Sequence, residues 1–192
     1  MNAMWELTAK GGFMMWPLYA TAIACLFIIA ERIQALWRFK RREAEFLYMV
    51  PSHGLLEAAR QSPSFAPARV IVEGEEVEAT LAELAEVLER EIGRFLHALA
   101  AIYKGAPLMG LLGATLGIIK VFHKLSQQGL EQMEYFAGGI SEVLITTATG
   151  LLIAIPALFF AFYLNGLLSR KISQYETLYL KGMKKGKARS AA

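Results

Sequence analysis

Charge is scarce in this chain. Only 19% of its 192 residues are Asp, Glu, Lys or Arg, against 55% hydrophobic ones, and the mean hydropathy is +0.38. A soluble domain carries roughly a quarter charged residues, so the balance points to a membrane protein. Cysteine is all but missing. Cys25 stands alone inside an apolar run, which excludes an intrachain disulfide and a Cys-x-x-Cys metal site. The three histidines, His53, His97 and His123, lie too far apart in sequence to form ligand spacing, so no metal is expected. No Walker loop, GxGxxG fingerprint or HExxH helix occurs, so nothing supports an ATPase, a dinucleotide enzyme or a zinc protease. The reading is a non-enzyme with no cofactor.

Long uncharged runs are what the chain does have. Residues 143–164 are 22 residues without a charge; at a rise of about 1.5 Å per residue they reach across a hydrocarbon core of roughly 30 Å. A second run, 106–122, is shorter and carries Lys120, whose long stem can deliver its ammonium to the interface. The first, 13–30, reads FMMWPLYATAIACLFIIA, with Trp16 as an interfacial anchor and Pro17 in the first turn. AIAC, ending at Cys25, resembles a lipoprotein cleavage site. The residues before it lack a basic cluster and the apolar run continues past the cysteine, so an uncleaved span is expected.

Charge placement orients these spans. Arg32, Arg38, Lys40, Arg41 and Arg42 follow the first run; Arg170, Lys171, Lys181, Lys184, Lys185, Lys187 and Arg189 follow the last. The connection after the second run holds the acids Glu131 and Glu134. Basic flanks prefer the cytoplasm, and both clusters lie inside only if two spans separate them. The expected order is therefore a short periplasmic N-terminus (1–12), first span (13–30), cytoplasmic helical segment (31–105), second span (106–122), periplasmic loop (123–140), third span (141–168) and basic cytoplasmic tail (169–192). Topology and lipid contact account for the basic clusters, and no nucleic acid is needed.

Within 31–105, Pro51, Gly54, Pro63 and Pro67 mark turns between short helices. From 75 to 103, Leu81, Leu84, Ala85, Leu88, Ile92, Phe95, Leu96 and Leu99 recur at three- and four-residue spacing, which predicts one long amphipathic helix. Gly105 and Pro107 lie where it would meet the second span, ending or kinking it.

Small residues distinguish the last two spans. Gly110, Gly113, Ala114 and Gly117 share one stripe, a small-xxx-small pattern that lets helix backbones approach closely. In the third span Glu142, Thr146 and Thr149 stack on one face, and Thr147 is rotated about 140° from Glu142. A threonine in a membrane helix commonly bonds the carbonyl four residues back, but three beside a glutamate mark a protein- or water-facing surface. Pro156 removes one backbone donor and leaves the Leu152 carbonyl without it. Apart from Glu142 and Lys120 near the span ends, no ionisable residue lies in any span. A titrating proton relay needs an acid or histidine at depth, so such a group must come from another chain.

The segments APLMGLLGATLG and ISEVLITTATGLLIAIPALFFAFYLN resemble the MotA/TolQ/ExbB proton-channel family, nearest its ExbB and TolQ branches. WPLYATAIACLFIIAERIQAL is similar to that family's first span. The resemblance implies an all-α membrane protein of three transmembrane helices extending into a cytoplasmic helical domain, assembled as a homopentamer in the bacterial inner membrane. It implies a single-span ExbD- or TolR-like partner that supplies the membrane aspartate, and a TonB- or TolA-like protein that receives the work. It assigns the proton pathway to Thr147 and Glu142, with Thr115, Thr146 and Thr149 as further candidates. Where the family reads GLLGTVxG, this chain has Ala114 and then Thr115, which moves the hydroxyl by about 100°. Either the helix is turned or this subunit does without that hydroxyl.

The expected function is an ExbB-like motor subunit for outer-membrane transport, with a TolQ-like envelope-maintenance subunit as the alternative. Flagellar stators generally have four spans and a larger cytoplasmic domain. A reading of another class is a non-conducting scaffold whose glycine and threonine faces only pack helices. A self-sufficient transporter is disfavoured, since inverted repeats and midplane charges are absent.

Overall fold

The computed structural model describes residues 13–74, 76–128 and 133–190. The expected N-terminal segment 1–12 with Gly11 and Gly12, Glu75, positions 129–132 with Glu131, and 191–192 lie outside the described residues. There are six helices and no strand among the described residues: α1 (Met15–His53), α2 (Leu55–Gln61), α3 (Ala66–Glu73), α4 (Val77–Ile92), α5 (Leu96–Gln128) and α6 (Met133–Ser190). Three of them, α1, α5 and α6, are long and apolar enough to cross a membrane.

Each of these helices outlasts its apolar run. α1 continues 23 residues past position 30, α6 reaches Ser190, and the loop expected at 123–140 is helical on both sides of 129–132. The basic tail expected from 169 is likewise helix up to Ser190. The loss of hydrophobicity marks where a hydrocarbon layer could end. Intrahelical hydrogen bonds do not depend on it.

Two other expectations are corrected. The amphipathic helix expected over 75–103 breaks after Ile92. Gly93 ends α4, its N–H donating to the Glu89 carbonyl at 2.7 Å, and the Leu96 N–H turns back to the Gly93 carbonyl at 2.8 Å. A Cβ at Gly93 would stand 2.8 Å from the Glu89 oxygen and 3.3 Å from Leu168 Cδ2, so only glycine fits the turn. Gly105 and Pro107 do not end a helix, because α5 runs through both. Ala106, fully buried between them, is held against α6, and apolar surroundings penalise opening the backbone there. Pro51 sits inside the last turn of α1; the break falls at Gly54, whose φ of +86° is one L side chains rarely adopt.

The chain divides into two compact units. The first holds the described residues up to Ile29 and 97–161. Its core combines Met15, Leu18 and Leu99 with small residues, including Ala106 and Ala114 on α5 and Ala154, Ala157 and Ala161 on α6. Other large apolar side chains point outward: Leu108, Leu111, Phe122, Leu144, Leu152 and Phe159 are all exposed. Only 22–28% of the most apolar window of each spanning helix is buried within the chain. Such a surface requires lipid or other chains around it.

The second unit comprises 30–96 and 162–190. Leu36, Phe39 and Phe46 recur down one stripe of α1, and Leu164, Leu168, Tyr175 and Tyr179 down α6. Thr80, Leu84, Leu88 and Ile92 are the buried stripe of α4. Phe65, the residue before α3, packs its ring 5.4 Å from both Phe39 and Phe46 and 6.1 Å from Tyr175. Gly182 of α6 meets Leu55 of α2, where an added Cβ would lie 3.0 Å from the leucine's own.

Candidate functional site

Gly110, Gly113 and Gly117 of α5 meet the Thr146 row of α6 along one seam, which Thr115 and Pro156 do not join. A Cβ at Gly110 would lie 3.0 Å from the Thr146 carbonyl oxygen and 3.2 Å from Thr147 Cα. At Gly150 it would lie 2.6 Å from the Ala106 carbonyl oxygen and 3.2 Å from Gly110 Cα. Gly113 faces Thr146 Cγ2 and Met14, and Gly117 faces Val143. Ala114 is buried, whereas Pro156 stands on an exposed face of α6. Glycine, and no larger residue, permits this backbone approach. Gly150 is the seam residue the sequence reading overlooked, although it continues the Thr146 row one turn on.

The four threonines occupy different surroundings. Thr146 is fully buried, and its hydroxyl donates to the Glu142 carbonyl at 2.6 Å, with the Val143 carbonyl at 3.2 Å. Thr147 and Thr149 are half-buried and donate to the Val143 and Ile145 carbonyls at 3.1 and 2.7 Å. Thr115 is exposed, donates to the Leu111 carbonyl at 2.9 Å, and lies among the outward leucines of α5. A hydroxyl that donates its proton to a carbonyl keeps its lone pairs as acceptors. Each exposed or half-buried oxygen can therefore accept from water.

Glu142, at the start of this row, lies 3.5 Å from Lys120 Nζ. The glutamate side chain is 25% exposed and the lysine 59%. The pair ties the end of one apolar run to the start of the other, and neither group lies deep in either. Among the described residues no cluster of three or more His, Cys, Asp or Glu could hold a metal.

The sequence reading missed a second cluster, in the other unit. Glu43 of α1 is buried and accepts from Lys171 Nζ at 2.7 and 2.8 Å and from the Tyr175 hydroxyl at 3.0 Å. Tyr175 lies past the last apolar run; burial first, then the Glu43 charge and the hydrogen bond to it, hold its phenol far above the usual tyrosine range. Lys171 had been counted as one cation in a basic flank. The available signal was Glu43 itself, a charge four residues past Phe39 and three before Phe46 on an apolar stripe.

A sequence model described as the MotA/TolQ/ExbB proton channel family matches residues 54–177, which include α5, the seam and most of α6. The chain belongs to that family. It is 30% identical over 92 residues to a biopolymer transport protein ExbB of Aquifex aeolicus (strain VF5), a match covering 48% of this chain and 62% of that relative. The aligned part thus spans less than two thirds of that relative's length. Two matches extend further. A putative biopolymer transport protein ExbB-like 3 of Synechocystis sp. is 28% identical over 179 residues, 85% of each chain. The biopolymer transport protein exbB1 of Vibrio cholerae serotype O1 is 25% identical over 210 residues, 95% of this chain and 91% of the relative.

Proposed function

We propose that this chain is the multi-span subunit of an ExbB-type motor in a bacterial inner membrane, with its N-terminus periplasmic and both basic clusters cytoplasmic. The observation that carries the reading is the α5–α6 seam within a family described as proton channels. It holds two helices at backbone distance while Thr147, Thr149 and Glu142 remain partly exposed. Five copies around a central pore would bury the outward apolar faces and enclose the helices of a single-span ExbD- or TolR-like partner. That partner supplies the aspartate that titrates, since the apolar runs hold no acid at depth. The work passes to a TonB- or TolA-like protein. Outer-membrane transport is favoured over Tol-type envelope maintenance by the ExbB names of the relatives.

In this arrangement Thr147 lines the water-bearing path and Thr146 fills the seam. Thr147→Val keeps the side-chain shape and deletes the hydroxyl. Proton-coupled uptake in cells dependent on this chain should fall by about tenfold or more, as when one hydrogen-bonding group at a reacting path is lost, while the purified oligomer keeps its mass. Uptake at the wild-type level would remove the pathway role and favour a scaffold.

A further inference from the structure

A cavity of about 260 Å³ opens inside the second unit. Five arginines line it, Arg32, Arg38 and Arg42 on α1 with Arg90 and Arg94 at the end of α4 and just beyond, against two acids, Glu31 and Glu91. The surplus is three positive charges, and the volume is several times the roughly 30 Å³ that a water takes in the liquid.

The arginines divide by what they already hold. Arg32 is buried and already engaged: Nε and Nη2 grip Glu31 at 2.7 and 2.8 Å, and Nη1 donates to the Glu91 carbonyl at 3.2 Å. Arg90 pairs with Glu86. Arg38, Arg42 and Arg94 have no carboxylate partner among the described residues. Arg42 gives one N–H to the Ser64 carbonyl at 3.3 Å, and Arg94 stands 5.4 Å from the Phe95 ring. Arg38 and Arg94 line the same cavity from α1 and from just beyond α4. The first residues of α3, Ala66 and Pro67, face the same cavity, and no side chain caps that helix end. Pro67 has no N–H, and the Ala68 N–H donates to the Phe65 carbonyl at 3.0 Å, so the helix end contributes its dipole rather than a set of free donors.

We propose that this cavity binds a phosphate group, with Arg38, Arg42 and Arg94 as its ligands. Guanidinium forks match phosphate oxygens in pairs, and three of them without a carboxylate hydrogen-bond partner among the described residues line this one space. Two sources can supply the group: an anionic phospholipid headgroup or free phosphate. Glu31 and Arg32 directly follow the apolar run 13–30, which places the near wall of the cavity at headgroup level. The lipid source rests on the membrane placement proposed above; phosphate binding itself does not.

The test is thermal unfolding of the delipidated full-length protein in neutral detergent, at constant ionic strength. Inorganic phosphate, phosphatidylglycerol and phosphatidylcholine are added separately to wild type, to Arg38→Gln/Arg94→Gln, to each single variant, and to Arg170→Gln/Lys181→Gln as a control with basic residues removed elsewhere. Phosphatidylglycerol or phosphate should raise the wild-type midpoint by roughly 3–5 °C at saturation. The cavity variants should lose most of that rise and the control should keep it. A response to phosphatidylglycerol alone assigns a lipid headgroup, and a response to inorganic phosphate as well assigns a soluble anion. No rise over phosphatidylcholine and chloride, or an equal rise in the cavity variants, overturns the proposal. If the double variant melts early without ligand, the single variants decide in the same way. Phosphate binding without membrane insertion would sink the membrane placement and leave the anion site standing.

Discussion

Replacing Glu43 by Gln should destabilise this protein far more than any exposed ion pair does. The Glu43 side chain is 6% exposed and Lys171 17%, and the carboxylate accepts three hydrogen bonds, two of them from an ammonium. Breaking a buried pair from one side costs about 3–5 kcal/mol, because the remaining charge is left without its partner. Lys171 retains Gln174 Oε1 at 3.1 Å and some access to water, which places Glu43→Gln at the lower end, about 3 kcal/mol. Lys171→Met leaves a buried carboxylate with only the Tyr175 hydroxyl and should cost more. The pair Arg90–Glu86 is the natural control: its side chains are 76% and 61% exposed, and Glu86→Gln should cost under about 1 kcal/mol.

For a chain of this size, about 1 kcal/mol moves the melting midpoint by about 2–4 °C. Thermal unfolding in one detergent should then show Glu43→Gln falling by roughly 6–12 °C and Glu86→Gln by less than about 4 °C. Combining Glu43→Leu with Lys171→Met removes both charges, so the double variant should melt above the more damaged single one. The reasoning is refuted if Glu43→Gln melts within 2 °C (about the effect of an exposed pair) of wild type, or if the double variant shows the sum of the single losses.

Other outcomes follow from the same geometry. Gly150→Leu places atoms against the Ala106 backbone and should abolish the folded oligomer by size-exclusion chromatography, whereas Gly138→Ala, with nothing within 4 Å, should leave it intact. Gly54→Ala forces an L side chain to φ +86° and ψ 167°, an essentially glycine-only region, and should cost about 1–3 kcal/mol in the same unfolding assay. Burial and Glu43 raise the Tyr175 pKa in the folded protein, so that contribution is full below the unfolded value of about 10 and declines as pH rises through the folded one. Wild type should therefore lose its advantage over Tyr175→Phe only in strong alkali, as read from melting midpoints across pH.

The three apolar helices and the small-residue stripe were legible in the sequence because both are local and periodic. Uncharged runs of span length need no tertiary information, and Gly110, Gly113 and Gly117 advertise a close contact without naming what they touch. What escaped was non-local. Glu43 and Lys171 are 128 positions apart, and no local pattern pairs them. The break at Gly93 was invisible because the apolar spacing carries straight through it. The tight turn there, in which an added Cβ would meet the Glu89 carbonyl oxygen at 2.8 Å and Leu168 of another helix at 3.3 Å, is a tertiary feature. Of the two outcomes open at Gly105 and Pro107, an end to the helix is ruled out: weak helix formers are overridden by the packing of Ala106 against Gly150.

The hydroxyls of α6 limit what this chain can contribute to proton movement. Thr146, Thr147 and Thr149 each commit their one proton to a carbonyl of their own helix. None of them can donate to a water chain without breaking that bond, and with Thr146 fully buried only Thr147 and Thr149 offer acceptor sites to water. On the proposed reading, a file of waters along this face would be polarised, its hydrogens pointing toward Thr147 and Thr149, while the hydroxyls neither hold nor release a proton. Glu142 can do so, yet it lies at the start of the row and leans toward Lys120. On the proposed reading, orientation belongs to this chain and titration to its single-span partner. Thr147→Val should then slow proton flow without shifting the pH at which flow is half-maximal, since that midpoint belongs to the partner's carboxylate. An equal shift in rate and midpoint would place a titrating group on this chain instead.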